Sequence, residues 1–249
     1  MSGHSKWSTI KRKKGVADAK RGALFTKLIR EITVAARAGG EDLNSNPRLR
    51  TAVLKAKASN MPNDNIDRAI KKGAGNLDGV VYEEVRYEGY GPGGVAIMVD
   101  CITDNKNRTT PEIRAIFGKN GGSLGESGSV NYLFERKGMF VVEGGSTGED
   151  EFMEMLLDFD IEDIKTEEGN IVITTSPEGY NTVSDFFEKK NYNLIMNQIT
   201  YVPTTTVALD EAKAAQCLRI VEFLEDQDDT QEVYSNYDIS DEIMAKLGE

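Results

Sequence analysis

Tyr82 to Tyr90, then Gly91-Pro92-Gly93-Gly94, then Val95 to Thr103 form two runs rich in valine, isoleucine and tyrosine, joined by a turn of glycine and proline. Such a pair reads as a β-hairpin, with the glycines supplying backbone angles that other residues resist. Everything before residue 75 has the period of helices, and everything after it mixes strand and helix periods. The hairpin therefore opens an α+β body behind a helical segment, with a boundary near Asn76 to Val80.

Upstream, Leu24, Phe25, Leu28, Ile29, Ile32 and Ala36 recur at three- and four-residue steps and make one apolar stripe, so Asp18 to about Arg37 reads as a helix. Gly39-Gly40 ends it. Lys20, Lys27, Arg30 and Arg37 fall on the side away from the stripe, which predicts a helix that packs inward and shows cations outward. Asn46-Pro47 caps and opens a second helix that buries Leu49, Ala52, Val53 and Ala56. A third follows Met61-Pro62 and stops at Gly73. Three short helices with short connections predict a small bundle.

Downstream of the hairpin, a helix is expected from about Thr110 to Lys119 and a strand from Ser129 to Glu135. Strand Met139–Val142, helix Glu149–Asp158, strands Ile161–Glu167 and Asn170–Thr175, helix Glu178–Lys190 and strand Asn197–Val202 follow, in the split βαβ or ferredoxin-like order. A last helix, Asp210–Glu225, and a short strand from Glu232 are left to complete the sheet begun by residues 81–135. The expected fold is multi-domain α+β. A three-helix bundle with a flexible arm occupies residues 1–78. Two ferredoxin-like α/β sandwiches follow, a middle domain of residues 79–135 and 205–249 and an acidic domain of residues 136–204 inserted in it.

Charge divides along the same lines. The first 75 of the 249 residues carry 17 Lys and Arg against 6 Asp and Glu, and the remainder carry 13 against 35, so a net charge of −11 conceals segments of +11 and −22. A segment so basic, headed by Lys11-Arg12-Lys13-Lys14, is attracted to phosphate backbones at short range. Acidic residues gather in Glu149–Glu168 and Glu222–Glu232, read as a solvated face or as a docking surface for a basic protein partner. No apolar run reaches the length of a membrane span and no signal-peptide pattern opens the chain, so the expected location is cytoplasmic, with no membrane partner. Cys101 and Cys217 sit inside apolar runs, which suits buried thiols in a reducing compartment.

Catalytic chemistry has little to work with. The single histidine, His4, lies in a polar run, there is no Cys-x-x-Cys, and neither the P-loop nor a dinucleotide fingerprint between strand and helix is present. The reading is of a non-enzyme without cofactor, metal site or small-molecule substrate. Two segments suit anions. In Asp104 to Glu112 a strand end meets a helix start, with Thr109 and Glu112 at capping-box spacing, so Lys106, Arg108 and Thr109 are a candidate anion site. In Gly3 to Ile10 a lone Trp7 is interleaved with His4, Lys6 and hydroxyls, a pattern that stacks on bases while pairing with phosphates. The nucleic-acid-binding candidates are His4, Lys6, Trp7, Lys11, Arg12, Lys13, Lys14, Lys20, Arg21, Lys27, Arg30, Lys71 and Lys72.

Gly3-His4-Ser5-Lys6-Trp7, Phe25-Thr26-Lys27-Leu28-Ile29-Arg30-Glu31, Asn60-Met61-Pro62, Arg68-Ala69-Ile70-Lys71-Lys72-Gly73, Tyr87 to Gly94 and Thr103-Asp104-Asn105 with Asn107-Arg108-Thr109 stand together in one order over nearly the whole chain. In these words the chain resembles the YebC/PmpR family, which includes the mitochondrial translational activator of cytochrome c oxidase. The resemblance implies three domains, the last inserted into the middle one, and a non-enzymatic regulator of gene expression. Its leading form is a cytoplasmic DNA-binding transcriptional regulator. The alternative is a ribosome-associated factor that binds ribosomal RNA and assists translation of difficult, proline-rich sequences.

Overall fold

The computed structural model describes residues 21–75, 80–145, 148–167 and 169–247. They form a mixed α+β structure with eight α-helices and several antiparallel sheets. The chain divides into two compact units, one of Tyr132–Thr205 and one of the residues up to Asn131 and from Thr206.

The larger unit begins with helices α1 (Arg21–Gly39), α2 (Pro47–Ala58) and α3 (Asn63–Gly73). Ile32, Ala35, Ala36, Leu49, Ala52, Val53, Ala56, Met61, Ile66 and Ala69 bury one shared core among them. Alanine dominates because the helices approach closely. A Cβ on Gly73 would sit 2.2 Å from the Thr33 carbonyl, so only glycine lets α3 lie this near α1. Asn46 fixes the corner between α1 and α2. Its Oδ1 accepts from the Leu49 amide at 3.1 Å, and its Nδ2 donates to the Ala35 and Gly40 carbonyls at 2.8 Å each. One side chain thus caps the start of α2 and satisfies carbonyls left over at the end of α1.

The same unit continues with β1 (Glu83–Tyr90) and β2 (Ala96–Thr103), paired antiparallel from Glu83–Thr103 to Tyr90–Ala96. Gly93 and Gly94, at φ 77° and 81°, make the turn, as their place in the sequence predicts. Helix α4 (Lys106–Lys119) leads to β3 (Ser123–Leu124), which pairs with the end of β1. The chain returns from the other unit through a short strand, β8 (Val207–Ala208), into helix α7 (Glu211–Asp226) and β9 (Thr230–Ser235). The sheet order is β3-β1-β2-β9, so the late strand does close the sheet begun by the hairpin. The hairpin strands lie at the centre, an order that differs from the βαββαβ arrangement. Ile97, Val99, Ile113, Phe117, Ile220, Val221 and Leu224 fill the core beneath. Cys101 and Cys217 are buried and unbridged, and burial pushes each thiol up to about 12. A two-residue strand, β10 (Tyr237–Asp238), lies parallel to β8, and α8 (Asp241–Lys246) ends the described chain.

Several boundaries differ from the sequence reading, two of them with a visible local cause. Helix α4 starts at Lys106, capped by Asn105, whose side chain accepts from the Arg108 amide; Thr109 is buried inside the helix. The strand expected at Ser129–Glu135 begins only at Phe134 and runs on to Val142; before it the chain is a loop ending in a short 3-10 turn, Asn131–Leu133. Glu88 is the reason. Its buried carboxylate accepts the amides of Gly128, Val130 and Asn131, all at 2.8 Å, and amides held this way are not available to a sheet.

In the smaller unit, β4 (Phe134–Val142), α5 (Glu149–Met155), β5 (Ile161–Glu167), β6 (Asn170–Thr175), α6 (Tyr180–Lys190) and β7 (Leu194–Pro203) form a sheet ordered β5-β6-β4-β7, antiparallel throughout. Phe140, Phe152, Leu156, Ile173, Val183 and Phe187 make its core. The rings of Phe140 and Phe187 lie 5.3 Å apart, and each buried phenylalanine contributes about 1.5–3 kcal/mol of apolar burial. The unit's surface is strongly acidic, with 5 Lys and Arg against 15 Asp and Glu over residues 132–205.

Candidate nucleic-acid interface

His4, Lys6, Trp7, Lys11, Arg12, Lys13, Lys14 and Lys20 lie outside the described residues, and the backbone of Arg21 opens α1. Lys27 and Arg30 are expected on an outward, cationic face of α1, and the structure corrects this. Lys27 Nζ donates to the Glu225 carbonyl at 2.6 Å, in the last turn of α7, where the helix dipole gathers partial negative charge. The Arg30 guanidinium donates to the Asp228 carbonyl, lies 2.9 Å from Asp229 Oδ1 and covers the Tyr82 ring at 5.9 Å. Only 12% of its side chain is exposed. The side of α1 opposite the apolar stripe is therefore seated on the acidic loop that joins α7 to β9.

Asp229, fully buried, is the centre of this contact. Its Oδ2 accepts from Thr109 Oγ1 at 2.6 Å and has Thr103 Oγ1 at 3.2 Å, while Arg108 Nη2 lies 2.8 and 3.0 Å from its two oxygens. Burial opposes ionisation, but the bonds from Thr109 and Arg108 and the two guanidiniums outweigh it and hold the carboxyl below its usual range. Of the candidate anion site, Arg108 and Thr109 thus converge on an anion that the chain itself provides. Lys106 pairs instead with Glu83 at 2.5 Å on the surface. The sequence spacing found two of the ligands of Asp229, but neither Asp229 nor Arg30 as the partner, because about 120 and 200 residues of chain separate the groups that meet.

The cations of α2 and α3 are placed differently. Arg48 is tied to Glu31 and Glu84 at 2.8 and 2.6 Å, which raises its already high pKa further. Arg50, Lys55 and Lys57 are exposed on α2, and Arg68 and Lys71 on α3, with Lys72 half-buried. Residues 68, 71 and 72 stand three and four apart, so they share one face of α3, opposite the buried Ile66, Ala69 and Gly73. Arg50 and Lys57 likewise share the outer face of α2, with Leu54 between them, 61% exposed. Arg50, Lys57 and Arg68 are absent from the sequence candidates, although their spacing against the apolar positions marks them. Among the described residues, no group of three or more His, Cys, Asp or Glu is placed to hold a metal ion, and no helix is long and apolar enough to cross a membrane.

Fold and site together define a multi-domain α+β protein whose helical module is seated by ion pairs on an acidic loop and shows a second set of cations to solvent. The chain belongs to the TACO1/YebC family: the family model for the TACO1/YebC N-terminal domain matches residues 5–76, and that for the second and third domain matches residues 82–237. It is 56% identical over 248 residues to a protein of Syntrophus aciditrophicus named "Probable transcriptional regulatory protein", covering 99% of both chains. A Geobacter sulfurreducens protein of the same description is 53% identical, over 99% of this chain and all of that one. The crystal structure of a conserved hypothetical protein from Aquifex aeolicus, 49% identical, superposes with a TM-score of 0.82 over 92% of this chain and 94% of that one.

Proposed function

We propose that this protein is a non-enzymatic, cytoplasmic, DNA-binding transcriptional regulator that docks on phosphates through its basic N-terminal domain. In this reading residues 1–78 are a three-helix bundle with its arm. Residues 79–135 and 205–249 form the middle domain, and residues 136–204 an inserted ferredoxin-like sandwich. The order β5-β6-β4-β7 supports the last assignment. The observation that carries the function is the segregation of cations on the helical module. Lys27 and Arg30 are engaged internally, whereas Arg50, Lys57, Arg68, Lys71 and Lys72 lie on faces opposite the core. These, with Lys6, Lys11 to Lys14 and Lys20 of the arm, are the phosphate contacts of the proposal, and His4 and Trp7 its base contacts. The regulatory role follows the names of the relatives.

One feature of α3 favours a second reading. Its exposed positions include Asp64 and Asp67 beside Arg68 and Lys71, so carboxylates stand among the cations and would meet the acceptor atoms of guanine in a major groove unfavourably. Backbone or shape readout, as on ribosomal RNA, fits such a face. Competition binding of the full chain to promoter duplex and to ribosomes over a salt series separates the two, with Arg68, Lys71 and Lys72 changed together to Ala. On the true partner the variant binds more weakly, and its salt slope falls by up to about 2.7 for three lost duplex contacts, less on folded RNA. Preference for ribosomes replaces the transcriptional reading by the translational one. Binding to neither polymer that weakens with salt overturns both.

A further inference from the structure

Helix α5 and the turn after it put large apolar side chains on the outside of the smaller unit. Phe152 and Leu156 fill the core, each 1% exposed, while Met153 is 50% and Leu157 79% exposed. Asp150, Glu154 and Asp158, all exposed, stand beside them at one to four residues' spacing. A lone exposed leucine needs no explanation. A methionine and a leucine four apart, ringed by carboxylates on a unit with a threefold excess of acids, form an amphipathic surface of one sign. The larger unit carries its counterpart. Leu54 projects from α2 between Arg50 and Lys57, so that an exposed apolar side chain is flanked there by cations. Leu54, Met153 and Leu157 are all exposed, and the two surfaces carry opposite charge.

We infer that this protein, when free of nucleic acid, associates with a second copy of itself, the Arg50–Leu54–Lys57 face of α2 on one molecule docking on the surface that Met153 of α5 and Leu157 of the following turn form on the next; phosphate contact by Arg50 and Lys57 and this docking exclude each other. The fit is one of charge and of apolar contact together. The leucine of the basic face enters between Met153 and Leu157, and Arg50 and Lys57 meet the carboxylates of Asp150, Glu154 and Asp158 at the rim. The two faces are different surfaces, so the contact is head-to-tail and leaves one free face of each kind at the ends unless a ring closes. Rim charges steer and orient such a contact, and salt screens them, so association weakens as ionic strength rises.

A charge exchange tests this. One variant carries Asp150→Lys with Glu154→Lys, and a second carries Arg50→Glu with Lys57→Glu. All four positions are exposed, so both variants keep the circular dichroism and thermal transition of the parent. Sedimentation velocity of nucleic-acid-free full-length protein is followed over a concentration series at low and high salt. The parent associates at low salt, each variant alone associates about tenfold or more weakly, and an equimolar mixture of the two recovers association, because each then offers the face the other lacks. Leu157→Ser weakens association about fivefold or more, as loss of a central apolar contact does. A parent that stays monomeric throughout, variants that associate like the parent, or a mixture that does not recover overturns the inference.

Discussion

Changing Asp229 to Asn keeps the shape of a buried side chain and removes the charge that two arginines and a threonine hydroxyl converge on. The Arg30 contact, at 2.9 Å with 12% of the arginine exposed, is the expensive one to break; Arg108, 42% exposed, recovers water and a second carboxylate, Asp104 at 2.9 Å. Removing one partner of a buried pair costs about 3–5 kcal/mol, and an exposed leg adds at most about 1. The asparagine amide accepts one of the lost bonds but turns a donor toward Thr109 or a guanidinium, so we expect a loss of about 3 kcal/mol. The pH dependence has a definite sign. The folded carboxyl lies below its usual value, so its contribution is complete above the unfolded value near 3.8 and is lost as pH falls through the folded one. Parent and variant therefore differ most near neutrality and converge in acid. Urea unfolding over that pH range measures the difference, and hydrogen exchange locates it in α1 and residues 225–230. A neutral-pH difference below about 0.5 kcal/mol, or unchanged protection of α1, refutes the reasoning.

Three further substitutions test the packing of the larger unit. Glu88→Gln replaces an acceptor of three backbone amides by a group with a competing donor and costs about 2 kcal/mol, with faster exchange of the Val130 and Asn131 amides. The loss is largest at neutral pH and shrinks in acid. Burial opposes the charge of Glu88, but the three amides hold its carboxyl below the usual range. Gly73→Ala places a methyl 2.2 Å from the Thr33 carbonyl and destabilises the α1–α3 crossing by about 1–3 kcal/mol, read as a lower urea midpoint. Asn46→Ala removes the cap of α2 and two donors to carbonyls at the end of α1, and lowers stability by about 1–2 kcal/mol in the same assay.

Elements whose signals are local were legible in the sequence. The second helix shows its cap, its proline and its apolar spacing within a dozen residues, and the structure starts it at Pro47 with Asn46 as cap. Strands β5 and β6 begin and end where the alternation predicts. Helix α4 differs because Thr109 and Glu112 stand at capping-box spacing, which places the expected start at Thr110, whereas Asn105 caps the helix four residues before Thr109. The outward face of α1 was lost for a different reason. A helix wheel shows which side faces the nearest core, but gives no sign of a second surface formed by residues 225–229. The same limit hides the three amides that capture Glu88, 40 to 43 residues away.

The charge asymmetry of the chain is therefore not a single property. Some of the basic segment's charge is spent inside the molecule, where Lys27 and Arg30 meet the carbonyls and carboxylate of the acidic α7–β9 loop, and some of it is exposed on α2 and α3. The two sets respond differently to salt. A contact with one arginine 12% exposed and a carboxylate fully buried is screened weakly, whereas exposed lysines and arginines lose their attraction to a polyanion within about a Debye length. Moderate salt should accordingly release a bound nucleic acid while leaving the helical module seated. Loss of Asp229 does the opposite: it loosens the seat while leaving the exposed cations of α2 and α3 in place. Net charge alone, at −11, predicts repulsion from nucleic acid. The placement of these residues explains how a protein of that charge can still present a cationic face to solvent.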